Sequence, residues 1–298
     1  MARKDHMDTL GAVALTAFAL HLAFNQVVIK VTNDGFGPVF QAGLRSFGAV
    51  LVLWLWMWTR SIPVRLPRNA MWGGVIAGIL FGVEFICLYT ALDLTTVSRA
   101  SIIFYSMPVW LALAAHFVLP GERLTGVRSV GLVLAMCGVA LAVSNRDGGS
   151  ASLAGDLLAL IGAICWAGIA LCVRITPLST ARPEQQLFWQ VLISAPILLV
   201  AAPFFGDLIR DVQPLHIWGL GFQILLIASF GFLFWFWLMS IYPASSVASF
   251  SFLSPVFSVM LGWLLLREEV DATVWGALAL VAVGILLINR PARRAQPA

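Results

Sequence analysis

Apolar residues run through this chain in blocks of about 20, the length a helix needs to cross the hydrocarbon core of a bilayer. Ten such windows can be drawn, over approximately 9–29, 39–58, 70–91, 98–118, 127–144, 153–173, 185–204, 216–239, 246–266 and 273–289. Short polar breaks separate them: TRSIPVRLPRN follows the second, NRDGGSAS the fifth and FGDLIRDVQP the seventh. No interval between windows is long enough to make a soluble domain. The first window follows ARKDH and has the outline of a secretion signal, yet it carries His21 and Asn25 and lacks a clear small-residue cleavage site. It is read as a structural span. The pattern predicts an all-α integral membrane protein with ten transmembrane helices.

Composition agrees. Charged residues make up 11% of the 298 and hydrophobic ones 60%, whereas a soluble domain carries roughly 25% charge to wet its surface. The net charge of +4 is not a nucleic-acid footprint, because Lys and Arg lie mostly between the apolar windows. Twelve of them fall on the side of the amino terminus and five on the other, with Arg45 inside a window. That asymmetry puts both termini in the cytoplasm. Cys87, Cys137, Cys165 and Cys172 all fall inside windows and read as small apolar residues, not as disulfides or metal ligands.

The chain also repeats itself. Residues 104–123, FYSMPVWLALAAHFVLPGER, are echoed by 251–270, SFLSPVFSVMLGWLLLREEV, and Pro108 and Pro255 each precede a glutamate, Glu122 and Glu269, by 14 positions. Gly11 to Lys30 aligns with Gly155 to Arg174, Pro38 to Arg45 with Pro183 to Gln190, Trp72-Gly73 with Trp218-Gly219, and Gly138 with Gly284. From Gly11 to Pro108 the offset drifts from 144 to 147, as single-residue loop insertions produce. Each half holds five windows, and consecutive copies with an odd count cross the membrane in opposite senses. Two inverted five-helix repeats are predicted, residues 1–148 and 149–298. Inverted repeats recur in secondary transporters, whose site sits near the midplane between the copies.

Ten spans, two five-helix copies, a proline in the fourth helix of each copy and an acidic residue just after it resemble the EamA family of the drug/metabolite transporter (DMT) superfamily. The resemblance covers nearly the full length, and its bacterial exporters of amino acids and related metabolites are the closest likeness. It implies a central cavity lined by the first, third and fourth helices of each copy, in a bacterial cell inner membrane.

Charged groups at membrane depth are costly, so each calls for a partner or a wet cavity. Glu84 lies near the middle of the third window, and about 160° round the helix from the glycine stripe Gly74, Gly78, Gly82. It either faces the cavity, to bind a substrate ammonium or a coupling proton, or pairs with Arg45, His21 or Arg99. His21 and Asn25 share a face of the first helix; they suit a carboxylate or ring substituent, or simple bonds to neighbouring helices. Arg99, beside Ser98 and Ser101, either turns inward to a carboxylate or snorkels to the interface. Tyr105 continues that stripe. Ser245, Ser246, Ser249, Ser251, Ser254 and Ser258 make the ninth window unusually polar. Trp166, Trp235 and Trp237 offer faces for a ring or an ammonium, whereas Trp54, Trp56 and Trp58 read as an interfacial belt. Pro108 and Pro255 remove helix hydrogen bonds at matching depths and are candidate gating bends. Glu122 and Glu269 read as capping or inter-helix groups.

There is no phosphate-cradling GxxxxGK[ST] loop, no ATPase domain and no metal-spaced His/Cys cluster. The expected substrate-binding residues are therefore His21, Asn25, Glu84, Arg99, Ser101, Tyr105, Trp166, Trp235 and Ser251, with no catalytic residue, metal or cofactor. The expected function is a secondary transporter exporting amino acids, aromatic ones included, or related small metabolites by alternating access. The expected partners are a small-molecule substrate and membrane lipid, with no nucleic acid, the chain being a monomer or weak dimer. The alternatives are a carrier for drugs or for phosphorylated or nucleotide-linked metabolites and, from another class, a membrane receptor or intramembrane enzyme. An enzyme needs a nucleophile–base pair or metal site at one depth, and a receptor leaves the repeat unexplained.

Overall fold

The computed structural model describes residues 8–119, 122–144, 152–242, 250 and 252–289. Among these it is helical, with one isolated bridge, Phe36 to Ile209, in place of any strand. The first half of the chain supplies α1 (Thr9–Asn33), α2 (Pro38–Thr59), α3 (Met71–Leu94), α4 (Val97–Phe104), α5 (Met107–Val118) and α6 (Gly126–Ser144). The second supplies α7 (Leu153–Ile175), α8 (Pro183–Ala201), α9 (Pro214–Phe222), α10 (Phe232–Ile241), α11 (Leu253–Leu266) and α12 (Ala272–Ile288). Among the described residues, eight stretches, matching the first eight predicted windows, are long and apolar enough to cross a membrane. The apolar helices α11 and α12 are shorter, at 14 and 17 residues.

Large apolar side chains are exposed along most of the helices. Trp72, Phe117, Phe204 and Trp218 are each more than three-quarters exposed, a pattern that suits hydrocarbon as solvent. The chain is a multi-pass membrane protein.

Local chemistry sets the helix ends. The carboxylate of Asp8 accepts from Gly11 N (2.8 Å), Ser152 Oγ accepts from Gly155 N, and Asp271 accepts from Val274 N, each satisfying an orphan amide. Pro38 and Pro183 open α2 and α8, where the missing N–H costs nothing. The expected bend at Pro108 is an interruption: α4 stops at Phe104, and Pro108 in the first turn of α5 cannot donate back to it. Ser106 fills the gap, its Oγ donating to Ile103 O (2.5 Å) and accepting from Trp110 Nε1 (3.0 Å). Pro255 stands in the first turn of α11, where proline is tolerated.

The eighth window is not one regular helix. Between α9 and α10, residues Gln223–Gly231 form wide π-type turns, and Ser229 Oγ donates to Ile224 O five residues back (2.8 Å). Such turns shift the register by a residue and concentrate at functional positions. The same apolar residues serve either helix type, which is why periodicity alone did not predict them.

Packing uses small residues, since lipid tails supply no hydrophobic drive between helices. The stripe Gly74, Gly78, Gly82 on α3 does let α8 approach, receiving Trp189, Ile193 and Ile197, spaced four apart like the glycines. Helices α6 and α12 touch through backbone: Gly131 meets the carbonyl of Gly284, Gly284 that of Gly131, and Gly138 that of Ala277. At the far ends of two other pairs, Gly73 of α3 meets Thr176 after α7, and Gly219 of α9 meets Thr32 of α1. A Cβ on Gly284 would stand 2.6 Å from Gly131 O. Gly284→Val therefore lowers the unfolding midpoint in detergent by about 3–8 °C, corresponding to about 1–3 kcal/mol of overpacking. Gly126→Ala, at a site with nothing within 4 Å, leaves it unchanged.

Candidate functional site

The bundle has two ends. At one, the exits of α1, α3 and α11 meet the starts of α4 and α7. Lys30 Nζ donates to Leu92 O (2.9 Å) and Thr95 O (2.7 Å). The carboxylate of Glu268 accepts from Val97 N (2.6 Å), Ser98 N (2.9 Å) and Ser98 Oγ (2.6 Å). It thus clasps the N-terminus of α4, where an anion is favoured. Glu268 reaches there because Arg267 adopts a left-handed conformation (φ 54°, ψ 35°), turning the chain so that Glu268 N donates to Gly262 O (3.2 Å). That conformation costs a non-glycine residue about 1–2 kcal/mol. A Cβ at position 262 would stand 2.5 Å from Glu268 Oε2 and 3.0 Å from Ser98 Oγ, so glycine there leaves the carboxylate room to sit in the clasp.

Alongside, Arg99 and Asp156 form a buried ion pair at 2.5 Å, their side chains 6% and 1% exposed. Thr95 Oγ1 donates to the same carboxylate (3.4 Å). Arg210 meets Asp93 through two parallel bonds of 2.7 and 2.9 Å and also donates to Asn33 O (3.0 Å). The hydrogen-bonded carboxylate pushes the Arg210 guanidinium above its already high range, so this tie keeps its charge at any physiological pH. A cleft of about 540 Å³ opens at this end, lined by Lys30, Asp34, Asp93, Arg267, Glu268 and Glu269, among others. The opposite end is held by Gln185 Nε2 donating to Pro63 O and Arg65 O, Trp189 Nε1 to Val64 O, and Tyr242 Oη to Asp8. An exposed Arg174–Glu122 pair lies there too.

Beneath the first end lies a polar layer. Counted along their helices at 1.5 Å per residue, Asn25, Arg45, Glu84, Tyr105, Gln223 and Ser258 all sit about 10–15 Å in. Tyr89 Oη and Gln41 Nε2 both donate to Gln223 Oε1, at 2.7 and 3.2 Å. Gln26 Nε2 donates to Tyr105 Oη (3.4 Å). The Arg45 guanidinium lies 4.2 Å above the Phe85 ring, near enough to Glu84 and Tyr89 for its charge to act on both. Trp166 stacks on Phe104 (5.1 Å) and meets Tyr105 edge-on (6.1 Å). Many of the layer's buried atoms have no hydrogen-bond partner among the described residues: Asn25 Oδ1, Gln26 Oε1, Gln41 Oε1, Arg45 Nε and Nη1, Glu84 Oε2, Ser101 Oγ, Gln223 Nε2 and Ser258 Oγ. Each such valence costs about 1–3 kcal/mol or more.

Of the predicted residues, Asn25, Glu84, Tyr105 and Trp166 come to this layer, with Ser101 one turn above Tyr105. Three others have different company. Arg99 neither snorkels nor stands open, because Asp156 neutralises it. His21 is half-buried and donates through Nε2 to Leu226 O (2.9 Å), serving a carbonyl of the wide turns. Trp235 stacks on Phe18 (5.1 Å), in a small cluster with Leu15, Leu238 and Tyr242 toward the opposite end. Ser251, like Ser245, Ser246 and Ser249, lies outside the described residues, whereas Ser254 and Ser258 are buried. Capping at the exit of α11 falls to Glu268, the neighbour of the expected Glu269. Gln41, Tyr89, Gln223 and Asp156 were not singled out by sequence. Their only signal was a polar residue inside an apolar window.

Losing one partner of a buried pair strands the other charge, at about 3–5 kcal/mol. Asp156→Ala accordingly lowers the unfolding midpoint in detergent, and Arg99→Met with Asp156→Leu in one chain recovers most of the loss.

Known proteins share this outline. The profile of the EamA-like transporter family matches twice, over residues 9–144 and 153–290. The uncharacterised transporter YoaV of Bacillus subtilis is 24% identical, over 93% of this chain and 95% of its own length. A probable amino-acid metabolite efflux pump of Escherichia coli is 27% identical over 96% and 95%, and the pseudopaline exporter CntI of Pseudomonas aeruginosa 24% over 95% and 98%. One solved crystal structure superposes with a TM-score of 0.65 at 20% identity, covering 93% of this chain and 96% of the other, a likeness of fold alone. With two family matches spanning nearly all its residues, the chain belongs to the EamA-like transporter family.

Proposed function

We propose that the protein is a secondary transporter exporting amino acids, aromatic ones included, or related small metabolites across a bacterial inner membrane. It works by alternating access of two inverted five-helix halves, residues 1–148 and 149–298, with both termini in the cytoplasm. The observation that carries the reading is the buried polar layer, whose unused donors and acceptors suit a solute bearing both. Asn25, Glu84, Ser101, Tyr105 and Trp166 line the solute's path, and Glu84 receives an ammonium or a coupling proton. His21 and Trp235 border that path, and Arg99 holds its end shut through Asp156. A phosphorylated solute would want several free cations, but Lys30, Arg99 and Arg210 are occupied by carbonyls or carboxylates.

Reciprocal contacts support the two halves. Gly73 with Thr176 and Gly219 with Thr32 are the same contact after the halves are exchanged, since Thr32 aligns with Thr176 and Gly73 with Gly219. In the same way Gly131 with Gly284 becomes Ala277 with Gly138. The aligned Trp72 and Trp218 are 77% and 76% exposed. Packing of α3 on α7 has its counterpart in α9 on α1, and α4 on α7 in α11 on α1. Both halves of the pathway lie in one chain, so a monomer suffices.

The clasp of Glu268 on α4 and the lysine contacts of α1 close the end away from the termini, which is the periplasmic one. The α4–α5 interruption before Pro108, and Pro255 on α11, are the hinges about which it opens. Glu268→Gln weakens the clasp. In a chain without native cysteines it raises labelling of Ser101→Cys by a membrane-impermeant thiol reagent severalfold, and unchanged labelling removes the clasp from the gate.

The transport test is counterflow in liposomes holding purified protein, run against a panel of labelled L-amino acids. Wild type exchanges at least one, and Glu84→Gln slows that exchange at least tenfold. Exchange of some other solute, with no amino acid, overturns the substrate class. Normal transport by Glu84→Gln at every pH removes the role of that carboxylate.

A further inference from the structure

Resting on the amino-acid reading above, we propose that Arg45 and Gln223 form the carboxylate anchor of the solute, facing Glu84 across its ammonium.

Arg45 is 2% exposed on α2, and an arginine so far from water needs its donors filled. Phe85 takes the face of the guanidinium, a cation–π contact that leaves the edge with its N–H groups. Its Nε and Nη1 donate to nothing among the described residues. Glu84 precedes Phe85 on α3 and feels the charge of Arg45. A plain structural pair would close the two against each other, as Arg99 and Asp156 do at 2.5 Å. Instead Glu84 Oε2 is also unused.

Gln223 supplies the second donor, and its orientation is fixed by its neighbours. Tyr89 Oη and Gln41 Nε2 both donate to its carbonyl oxygen, and with Gln41 as it stands, exchanging that oxygen for the amide nitrogen would set N–H against N–H. Nε2 is thereby presented with no partner of its own. Tyr89 joins this amide to Arg45, since it bonds Gln223 and lies within the field of the guanidinium. Unused N–H donors of Arg45 and Gln223 and an unused carboxylate oxygen of Glu84 therefore stand in one layer. An α-amino carboxylate fits them: its carboxylate receives the N–H donors, its ammonium donates to Glu84, and the Phe104–Trp166 stack is left for its side chain. Guanidinium is suited to this because its N–H groups make charge-assisted bonds to carboxylate oxygens and it keeps its charge when buried.

The test uses the amino acid that wild type exchanges fastest, together with its methyl ester and its decarboxylated amine, in proteoliposome counterflow. Wild type favours the amino acid over both analogues by about 10- to 100-fold, the worth of a hydrogen bond to a charged group. Arg45→Met, checked for monodispersity and an intact unfolding midpoint, loses most of that preference and still exchanges the amine within about twofold of wild type. Arg45→Lys retains part of the preference. Wild type that takes the ester or the amine as readily as the amino acid overturns the anchor while leaving amino-acid transport standing. So does a folded Arg45→Met that keeps the preference, or one that loses all three solutes equally. Should Arg45→Met not fold, Gln223→Met is read by the same criteria. Wild type that exchanges no amino acid removes the transport reading and the anchor together.

Discussion

Holding a charge away from water is the constraint that orders this bundle. The membrane offers no compensation for an unpaired ion, so each ionisable side chain at depth either finds a fixed partner or marks a place where something else supplies one. Arg99 with Asp156, Lys30 with two carbonyls and Glu268 with the first amides of α4 are solutions of the first kind. They lie at one end, where Arg99–Asp156 and Glu268 join the first half of the chain to the second and Lys30 ties α1 to the end of α3. Arg45 and Glu84, deeper in the same bundle, keep unused atoms. The contrast between satisfied charges at the rim and unsatisfied ones beneath underlies the proposed division between closure and binding.

The clasp illustrates how local strain serves a longer-range contact. Arg267 holds a backbone conformation that suits glycine, and the next residue is thereby turned back over Gly262 into the start of α4. Three hydrogen bonds to one carboxylate offset that strain while the end is shut. In the proposed opening they would cease to do so as α4 and α11 part, leaving a balanced arrangement and not a welded one. The wide turns after α9 play a similar part on the other side of the layer. They aim Gln223 inward and leave Leu226 O to be met by His21.

Much of the fold was legible in the sequence, because hydrocarbon demands long apolar helices and those stand out by length alone. The proposed repeat rests on matching proline, tryptophan and glycine positions, and the family profile likewise matches twice, over residues 9–144 and 153–290. Glu84 could be picked out as a lone carboxylate in an apolar run. What could not be read was partnership. Asp156 in LAGDLLAL carries no mark that it neutralises Arg99, a contact between copies 57 residues apart. His21 looked polar enough for a site, yet the carbonyl it meets exists only because the eighth span departs from regular helix. Gln41, Tyr89 and Gln223 are neutral, and neutral polar residues near span ends are ordinary, so their convergence needed coordinates.

The central claim is that the layer built on Arg45, Glu84 and Gln223 is where the solute is held. The most direct measurement is a high-resolution structure of the protein in lipid nanodiscs with its exchanged solute bound. Solute density is expected between the Arg45 guanidinium and the Glu84 carboxylate, against the Phe104–Trp166 stack. Density confined to the cleft beside Lys30 and Glu269, with Arg45 and Glu84 closed on each other, would contradict it.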